Sequence, residues 1–316
     1  MRPIRFGLQA GRVTDAAAWL DLARRAESAG YATLMIPDHL GRLSTFPALM
    51  AAASVTSRIR LCTYVLNQDF RPPGILAWEA ATVQLFCGGR LELGLGAGWA
   101  EREYIQAGLQ YDSAPERVAR FDEYLQVVRG LLATPRPPFS FAGRYYHLRE
   151  FAPLPHTIPP PIVVGGGSPR VLASAGRYAD IVSIATRATP DSRIDARNLT
   201  RSAVQQKLSW IRDAAGPRFP SIELNMTIRD VRISDDRRNA ARQLLDTWQS
   251  GTTMMANVDS LTESDVLDSP HLALGTPSEI TAQLQAQRSE WGITYFELNS
   301  TDMEAMAPVV SCLATS

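Results

Sequence analysis

The feature that most constrains this chain is an alternation. Short apolar runs, each followed by a longer amphipathic stretch, recur along its length. IRFGLQ at 4–9, ATLMI at 32–36, RIRLCTYVL at 58–66, RLELGLG at 90–96, PIVVGG at 161–166, DIVSIA at 180–185, a strand within 221–234 and TYFELN at 294–299 read as eight strands. Helices are predicted at 15–29, about 46–56, about 74–86, 115–132, 168–176, about 200–214, 235–249 and 276–287. Thr14 or Asp15 caps the first, Pro115 opens the fourth, and Thr276 with Glu279 has the spacing of a capping box. Strands that alternate with helices pair in parallel through right-handed crossovers. Eight such units in 316 residues predict an α/β architecture, a (β/α)8 TIM barrel forming one domain over 1–316, rather than an open doubly wound sheet. The Pro-rich segment 133–161, in which FSFAGRYYHL reads as a hairpin, and the polar segment 250–275 are long for plain connections. As inserted loops at the C-terminal face of the strands they would cover an active site.

Composition narrows the chemistry. The formal net charge is zero, whereas a dedicated nucleic-acid binder carries a basic excess. The sequence contains no uninterrupted run of about 18 apolar residues, the length that spans a bilayer. The first residues, MRPIRFGLQAGR, lack the apolar core of a signal peptide, so a cytoplasmic location is expected. Cys62, Cys87 and Cys312 are too few for a disulfide framework and form no CxxC, so they read as buried thiols. Lys207 is the only lysine and lies in a helical stretch beside Val204, Leu208 and Ile211. A Schiff-base lysine should sit instead in a dry site near a strand end. His39, His147, His156 and His271 show no metal-ligand spacing, so no metal site is expected.

In this fold the chemistry sits where the strands end. Strand two runs into Asp38-His39, a candidate acid/base pair, although an Asp that caps a helix beside a rim His is the blander reading. Strand five runs into Gly165-Gly166-Gly167-Ser168 at the start of a helix. Its glycines permit a tight turn, and the helix N-terminus presents N–H groups to a phosphate. Strand four runs into GLGAGW, which is not a dinucleotide fingerprint, because Trp99 stands where the last glycine would be. Either the backbone there approaches a flat ring, or the glycines serve close strand packing.

Taken together, IPDHL, VLNQDFRPP, GGRLELGLGAGWAEREY, ERVARFDEYLQVVRGLL, FAGRYYHL and PPPIVVGGGSPRVLASAGRYADIV resemble the bacterial luciferase-like family of flavin and deazaflavin oxidoreductases. The GLGAGW and VLNQDFR segments resemble its branch that uses coenzyme F420. The resemblance implies hydride transfer between F420 and a small organic substrate: an imine, an activated alkene or a carbonyl. An FMN-dependent monooxygenase and a non-catalytic flavin-binding barrel are the alternatives. It implies that His39 serves as proton donor, with Glu101 and Tyr104 in reserve. It places Asp38, Tyr64, Val65, Asn67, Gly96, Ala97 and Gly98 along the cofactor ring, with a non-proline cis peptide at Tyr64-Val65. Gly165, Gly166, Gly167 and Ser168 would hold the cofactor phosphate. The expected partners are a small-molecule substrate and a second copy of the chain in a homodimer, with neither nucleic acid nor membrane. Trp99, where an acid stands in some relatives, and Arg71-Pro72-Pro73 after strand three mark a divergent member.

Overall fold

The computed structural model describes residues 2–11, 13, 15–133, 138–187, 189, 193–251 and 253–314. Eight parallel strands close into a barrel: β1 (Arg5–Gln9), β2 (Thr33–Ile36), β3 (Arg60–Thr63), β4 (Leu91–Gly96), β5 (Ile162–Gly166), β6 (Ile181–Ile184), β7 (Glu223–Thr227) and β8 (Ile293–Asn299). β1 pairs with both β2 and β8, and β3 pairs with β4, which completes the circle. Leu66–Asn67 resumes the course of β3 and pairs with the end of β4.

The helices are α1 (Ala16–Ser28), α2 (Thr45–Ala53), α3 (Pro73–Phe86), α4 (Glu101–Ala107), α5 (Ala114–Leu132), α6 (Pro169–Tyr178), α7 (Arg201–Ala215), α8 (Arg237–Gln249), α9 (Glu263–Leu267), α10 (Pro277–Trp291) and α11 (Met303–Ala314). The sequence reading omitted α4, α9 and α11. Asp15 caps α1 by accepting from the Ala18 N–H; the other proposed cap, Thr14, lies outside the described residues. The capping box of α10 is present, with Thr276 and Glu279 each accepting from the other's backbone N–H.

Period-two alternation sorts the strand side chains. Phe6, Leu8, Leu34, Leu61, Leu93, Val164, Val182, Met226, Phe296 and Leu298 belong to the main apolar core that the helices cover. Met35, Cys62, Val163, Ile181 and Tyr295 form a separate cluster inside the barrel. Below them lies an ionic layer. Arg5 donates to both Glu223 oxygens and to Glu92, each at 2.8 Å, and to Thr33 Oγ1 at 3.1 Å. Arg60 donates to the same Glu92 oxygen at 2.7 Å, and the Tyr295 hydroxyl to its other oxygen at 3.1 Å. The Arg5 guanidinium also lies 3.5 Å from the Tyr295 ring centroid.

The two long segments do different things. Phe139–Ala142 and His147–Phe151 pair as the expected hairpin, which leans on α5: Glu123 accepts from the backbone N–H groups of Arg144 and Tyr145. The segment after α8 is more regular than its polarity implied. Met255–Ala256 pairs with Ile194–Asp195 and Leu272–Gly275 with Asp230–Ile233, extending the structure beyond β6 and β7. A satellite apolar cluster, including Leu199, Leu244, Trp248 and Val266, supports it. Cys62 and Cys87 are buried as expected, but Cys312 is exposed. Among the described residues no helix is long and apolar enough to cross a membrane.

Glu92 is 1% exposed and pairs with two arginines. Glu92→Ala leaves both without that partner, and breaking such a buried pair costs about 3–5 kcal/mol. Urea unfolding should show a midpoint lowered accordingly with an unchanged slope; an unshifted midpoint would show that the layer is dispensable.

Candidate functional site

The strand bodies are buried, but the residues at their C-terminal ends are not. Gln9, Tyr64, Val65, Ala97, Gly98 and Gly165 through Ser168 are all half-exposed, so the mouth of the barrel is an open cleft. Asp38 and His39 stand at its rim after β2. The Asp38 carboxylate is 9% exposed. It accepts from Thr45 Oγ1 at 3.0 Å, from the Asn67 N–H at 3.2 Å and from Arg71 at 3.0 Å. With three donors it acts as a clamp between β2, the resumed β3 and α2.

His39 is placed by two neighbours. Its Nδ1 lies 2.7 Å from Glu103 Oε1. An ionised carboxylate only accepts, so Nδ1 carries a proton and Nε2 is the ring nitrogen left for a ligand. The Trp99 indole stands edge-on to the imidazole, with centroids 6.0 Å apart at 88°, and is itself 51% exposed. Of the two reserve donors, Tyr104 is buried and donates to Asp69 at 2.7 Å and Asn67 at 3.0 Å, so it is spent on structure. Glu101 is on the exposed side of α4. The acid that matters for His39 is Glu103, which the sequence reading passed over.

The Tyr64-Val65 peptide is cis, where the resemblance placed it. The Tyr64 side chain crosses the lumen to Ser183 Oγ at 2.5 Å and donates to Asn225 Oδ1 at 3.0 Å. The Asn67 side-chain oxygen accepts from Tyr104 and from the Asp69 N–H at 3.1 Å, which fixes its amide. The glycines of GLGAGW answer to packing. A Cβ on Gly94 would lie 1.7 Å from the Thr63 carbonyl oxygen, and one on Gly96 2.7 Å from Val65 Cγ2. Gly98 has φ +71, and its Cβ would lie 1.9 Å from the Tyr104 hydroxyl. These residues are glycine because β3 and α4 press on β4.

The glycine turn after β5 serves packing and leaves a helix end open. A Cβ on Gly167 would lie 2.8 Å from the Arg187 nitrogen and 2.9 Å from the Ala185 oxygen, and one on Gly166 2.5 Å from Val171 Cγ1. Gly165 has only ordinary contacts. Ser168 is the N-cap of α6, yet its side chain makes no capping bond, and Pro169 follows. The uncapped first turn, with Arg170 in it, suits a phosphate. A flat ring over Val65 and a phosphate at Ser168 therefore fit the residues present.

A second set of charged groups gathers around β6, β7 and β8, from the buried Glu297 to the exposed Arg229 just past the end of β7. Glu297 is 2% exposed, and burial pushes its carboxyl from an ordinary 4.5 up to about 7, against the opposing pull of Arg229 and Thr227. Arg229 donates to Thr186 Oγ1 at 2.7 Å. Lys207 corrects the sequence reading: it is 1% exposed and donates to the oxygen of Ala185, just past β6, at 2.9 Å. Burial, then Arg229, lowers its pKa to about 8. It is dry and near a strand end, but its ammonium holds carbonyls. His271, also buried, bonds the Thr227 carbonyl through Nδ1 at 2.8 Å, and burial lowers it to about 3.

The sequence profile described as luciferase-like monooxygenase matches residues 3–295. The chain belongs to the luciferase-like monooxygenase family. An F420-dependent glucose-6-phosphate dehydrogenase of Nakamurella multipartita is 33% identical over 189 residues, 56% of this chain and 55% of that protein. A pyrimidine monooxygenase RutA of a Bradyrhizobium species is 39% identical over 145 residues, 44% of this chain and 38% of that protein. The chain's matches thus span about half the length of such curated relatives or less. In structure it is similar to the F420-dependent tetrahydromethanopterin reductase of Methanopyrus kandleri, with a TM-score of 0.74 and 18% identity over 98% of both chains. Luciferase-like proteins include F420-dependent and flavin-dependent oxidoreductases and monooxygenases, and this barrel is of their type.

Two predictions follow from this geometry. Because the folded state raises the Glu297 pKa, its neutral form stabilises the fold fully below about 4.5, and that contribution is lost as pH rises through about 7. Melting temperatures from pH 5 to 8 should fall more steeply in the wild type than in Glu297→Gln; parallel profiles would refute this. Glu103→Gln weakens the charge-assisted bond to His39, worth about 1.5–3 kcal/mol. Turnover at saturating substrate should fall roughly 10- to 100-fold with cofactor affinity unchanged, as measured by steady-state kinetics and a separate titration.

Proposed function

We propose that the protein is an F420-dependent oxidoreductase that moves hydride between the deazaflavin and a small organic substrate. The observation that carries this reading is the cleft itself: His39, held through Nδ1 by Glu103, stands at the rim of a mouth that also holds the half-exposed Val65 and the uncapped start of α6. The relative that is an F420-dependent dehydrogenase supports the choice of deazaflavin. When bound, the deazaflavin supplies the hydride; the protein supplies position and a proton.

Each residue then has a task. The first turn of α6 after Gly165, Gly166, Gly167 and Ser168 holds the cofactor phosphate. Val65 and the backbone of Gly96, Ala97 and Gly98 back the ring, with Tyr64 bracing this segment from below through Ser183 and Asn225. Asn67 meets the ring edge. With Nδ1 committed to Glu103, His39 takes up a second proton at Nε2 and, as the imidazolium, passes it to the substrate atom that gains charge. Trp99 gives the substrate pocket an apolar wall where an acid would give it a charged one. This favours an imine, an activated alkene or a carbonyl over a sugar phosphate.

A second reading, an FMN-dependent monooxygenase, is favoured by the 39% identity with the pyrimidine monooxygenase. Titration of the protein with F420 and with FMN separates the two. Tighter binding of F420 is the expected outcome, and clear preference for FMN with oxygen-dependent turnover would replace the first reading by the second. His39→Ala should lower saturated turnover about 100- to 10,000-fold, the usual contribution of a general acid, with cofactor occupancy retained. Near-normal turnover would remove His39 from the mechanism.

A further inference from the structure

The strip that follows β4 is gripped from one side. The Ala97 carbonyl accepts from Gln68 Nε2 at 3.4 Å, the Gly98 carbonyl from Arg117 Nε at 3.3 Å and the Trp99 carbonyl from the Tyr111 hydroxyl at 3.0 Å. The donors come from the turn after the resumed β3, from α5 and from the link between α4 and α5. They nevertheless form one cluster. Gln68 also donates to the Arg117 carbonyl at 2.8 Å, and the Arg117 guanidinium lies 4.0 Å from the Tyr111 ring centroid. In a trans peptide the N–H points opposite to the carbonyl before it. With the carbonyls of Ala97 and Gly98 drawn toward this cluster, the N–H groups of Gly98 and Trp99 point away from it. Neither meets an acceptor among the described residues, and both residues reach solvent at the mouth. Gly98 has φ +71, and a left-handed residue is what sets successive N–H groups on one side as a concave donor set for negative charge.

Arg117 is the unusual member of the cluster, being a cation only 6% exposed. Asp69, next to Gln68, and Asp112, whose backbone carbonyl Arg117 reaches, give their carboxylates to Arg120 at 2.8 and 2.7 Å. Among the described residues Arg117 therefore bonds the carbonyls of Gly98 and Asp112 and no carboxylate. A buried cation is costly unless negative charge shares its site, and the side left open is beyond the Gly98–Trp99 peptide. We propose that Arg117, with Gln68 and Tyr111 holding the flanking carbonyls, positions the Gly98 and Trp99 N–H groups for the negative charge that the cofactor ring gains on reduction, so that the reduced cofactor binds more tightly than the oxidised one. This rests on the reading that the cleft holds a flavin-type ring along Gly96, Ala97 and Gly98. A neutral ring that takes up hydride gains two electrons and one proton and becomes an anion, while the donor of the hydride is oxidised. Deazaflavin and flavin rings both spread that charge over their pyrimidine end. Fixed N–H groups meet it without reorganising, and the guanidinium one peptide behind adds a positive field across buried protein. Arg117 touches no ligand itself, so it is a positioning residue.

Anaerobic titrations of the whole protein with oxidised and reduced F420, and with oxidised and reduced FMN, test this. The ratio of the two dissociation constants of one cofactor gives the shift in its reduction potential on binding. In the wild type, whichever cofactor binds should bind at least tenfold more tightly when reduced, about 30 mV for a two-electron couple. Arg117→Met should remove most of that preference. Arg117→Lys should keep part of it, because the charge stays while the planar fork toward Gly98 is lost. Tyr111→Phe deletes one hydroxyl at a half-exposed position and should lower the ratio about threefold, within the ordinary worth of one hydrogen bond. It keeps the test open where circular dichroism shows an Arg117 variant unfolded. A merely structural role would weaken both redox forms alike and leave the ratio where it was. Equal binding of both forms by the wild type would overturn the proposal. So would an unchanged ratio in Tyr111→Phe and in every Arg117 variant that folds, and with the cofactor still bound that result leaves the proposed function standing. Binding of neither F420 nor FMN would remove the cofactor reading and this inference together.

Discussion

The barrel depends first on a charge arrangement at the end away from the cleft. Glu92 comes from β4, Arg5 from β1, Arg60 from β3, Glu223 from β7 and Tyr295 from β8, and all converge within hydrogen-bond distance. Desolvating charge is expensive, and it is tolerable here because each carboxylate meets more than one donor. An offset of one residue in β4 would turn Glu92 outward into the apolar core and leave two arginines facing each other. The ionic layer therefore fixes the mutual registers of these strands. Registers set at one end place the strand ends at the other, and the cleft is made of those ends.

Above that layer the lumen is not uniformly apolar. Met35, Cys62, Val163, Ile181 and Tyr295 give one dry tier, and the next holds Tyr64, Ser183, Asn225, Thr227 and Glu297. Gly7 makes room in the dry tier, because a Cβ there would lie 2.4 Å from Met35 Cε and 3.0 Å from the Tyr295 ring. Polarity thus rises toward the mouth, and the hydroxyl of Tyr64 joins β3 to β6 and β7 directly beneath it. The floor of the cleft is a polar tier that the Tyr64 hydroxyl ties together across the lumen through Ser183 and Asn225.

What could be read in the residues was what short-range physics controls. Strand and helix order followed from apolar period, and the α10 cap from Thr276 and Glu279, because the neighbours that decide these features lie within a turn or two. The polar segment after residue 250 hid its regularity, because its short strands, Met255–Ala256 and Leu272–Gly275, are stabilised by Ile194–Asp195 and Asp230–Ile233 far off in sequence. The His39–Glu103 contact joins residues 64 apart and leaves no periodic trace. Glu103 sits in the first turn after GLGAGW, and that place was its only signal. Glu297 had a plainer one, since a carboxylate inside TYFELN, an otherwise apolar buried strand, calls for a special environment. Lys207 was misplaced because a helix flank looks like surface until the loop after β6 is folded over it.

Asp38 and His39 show how the rim divides its labour. They are adjacent, so their side chains leave the chain in different directions, and each meets a different set of partners. Asp38 spends its oxygens on Thr45, Asn67 and Arg71, and so ties the end of β2 to the start of α2 and to the resumed β3. That leaves it little capacity to take a proton from a ligand. It does, however, fix the backbone from which His39 projects, and fixes Asn67 on the neighbouring strand by the same carboxylate. His39 is then aimed by two partners from beyond β4, the Glu103 carboxylate and the edge of Trp99, while one ring nitrogen stays uncommitted. Saturating one acid with structural bonds is what allows the next residue to keep an open valence at a fixed place, and that open valence is what the cleft offers to chemistry.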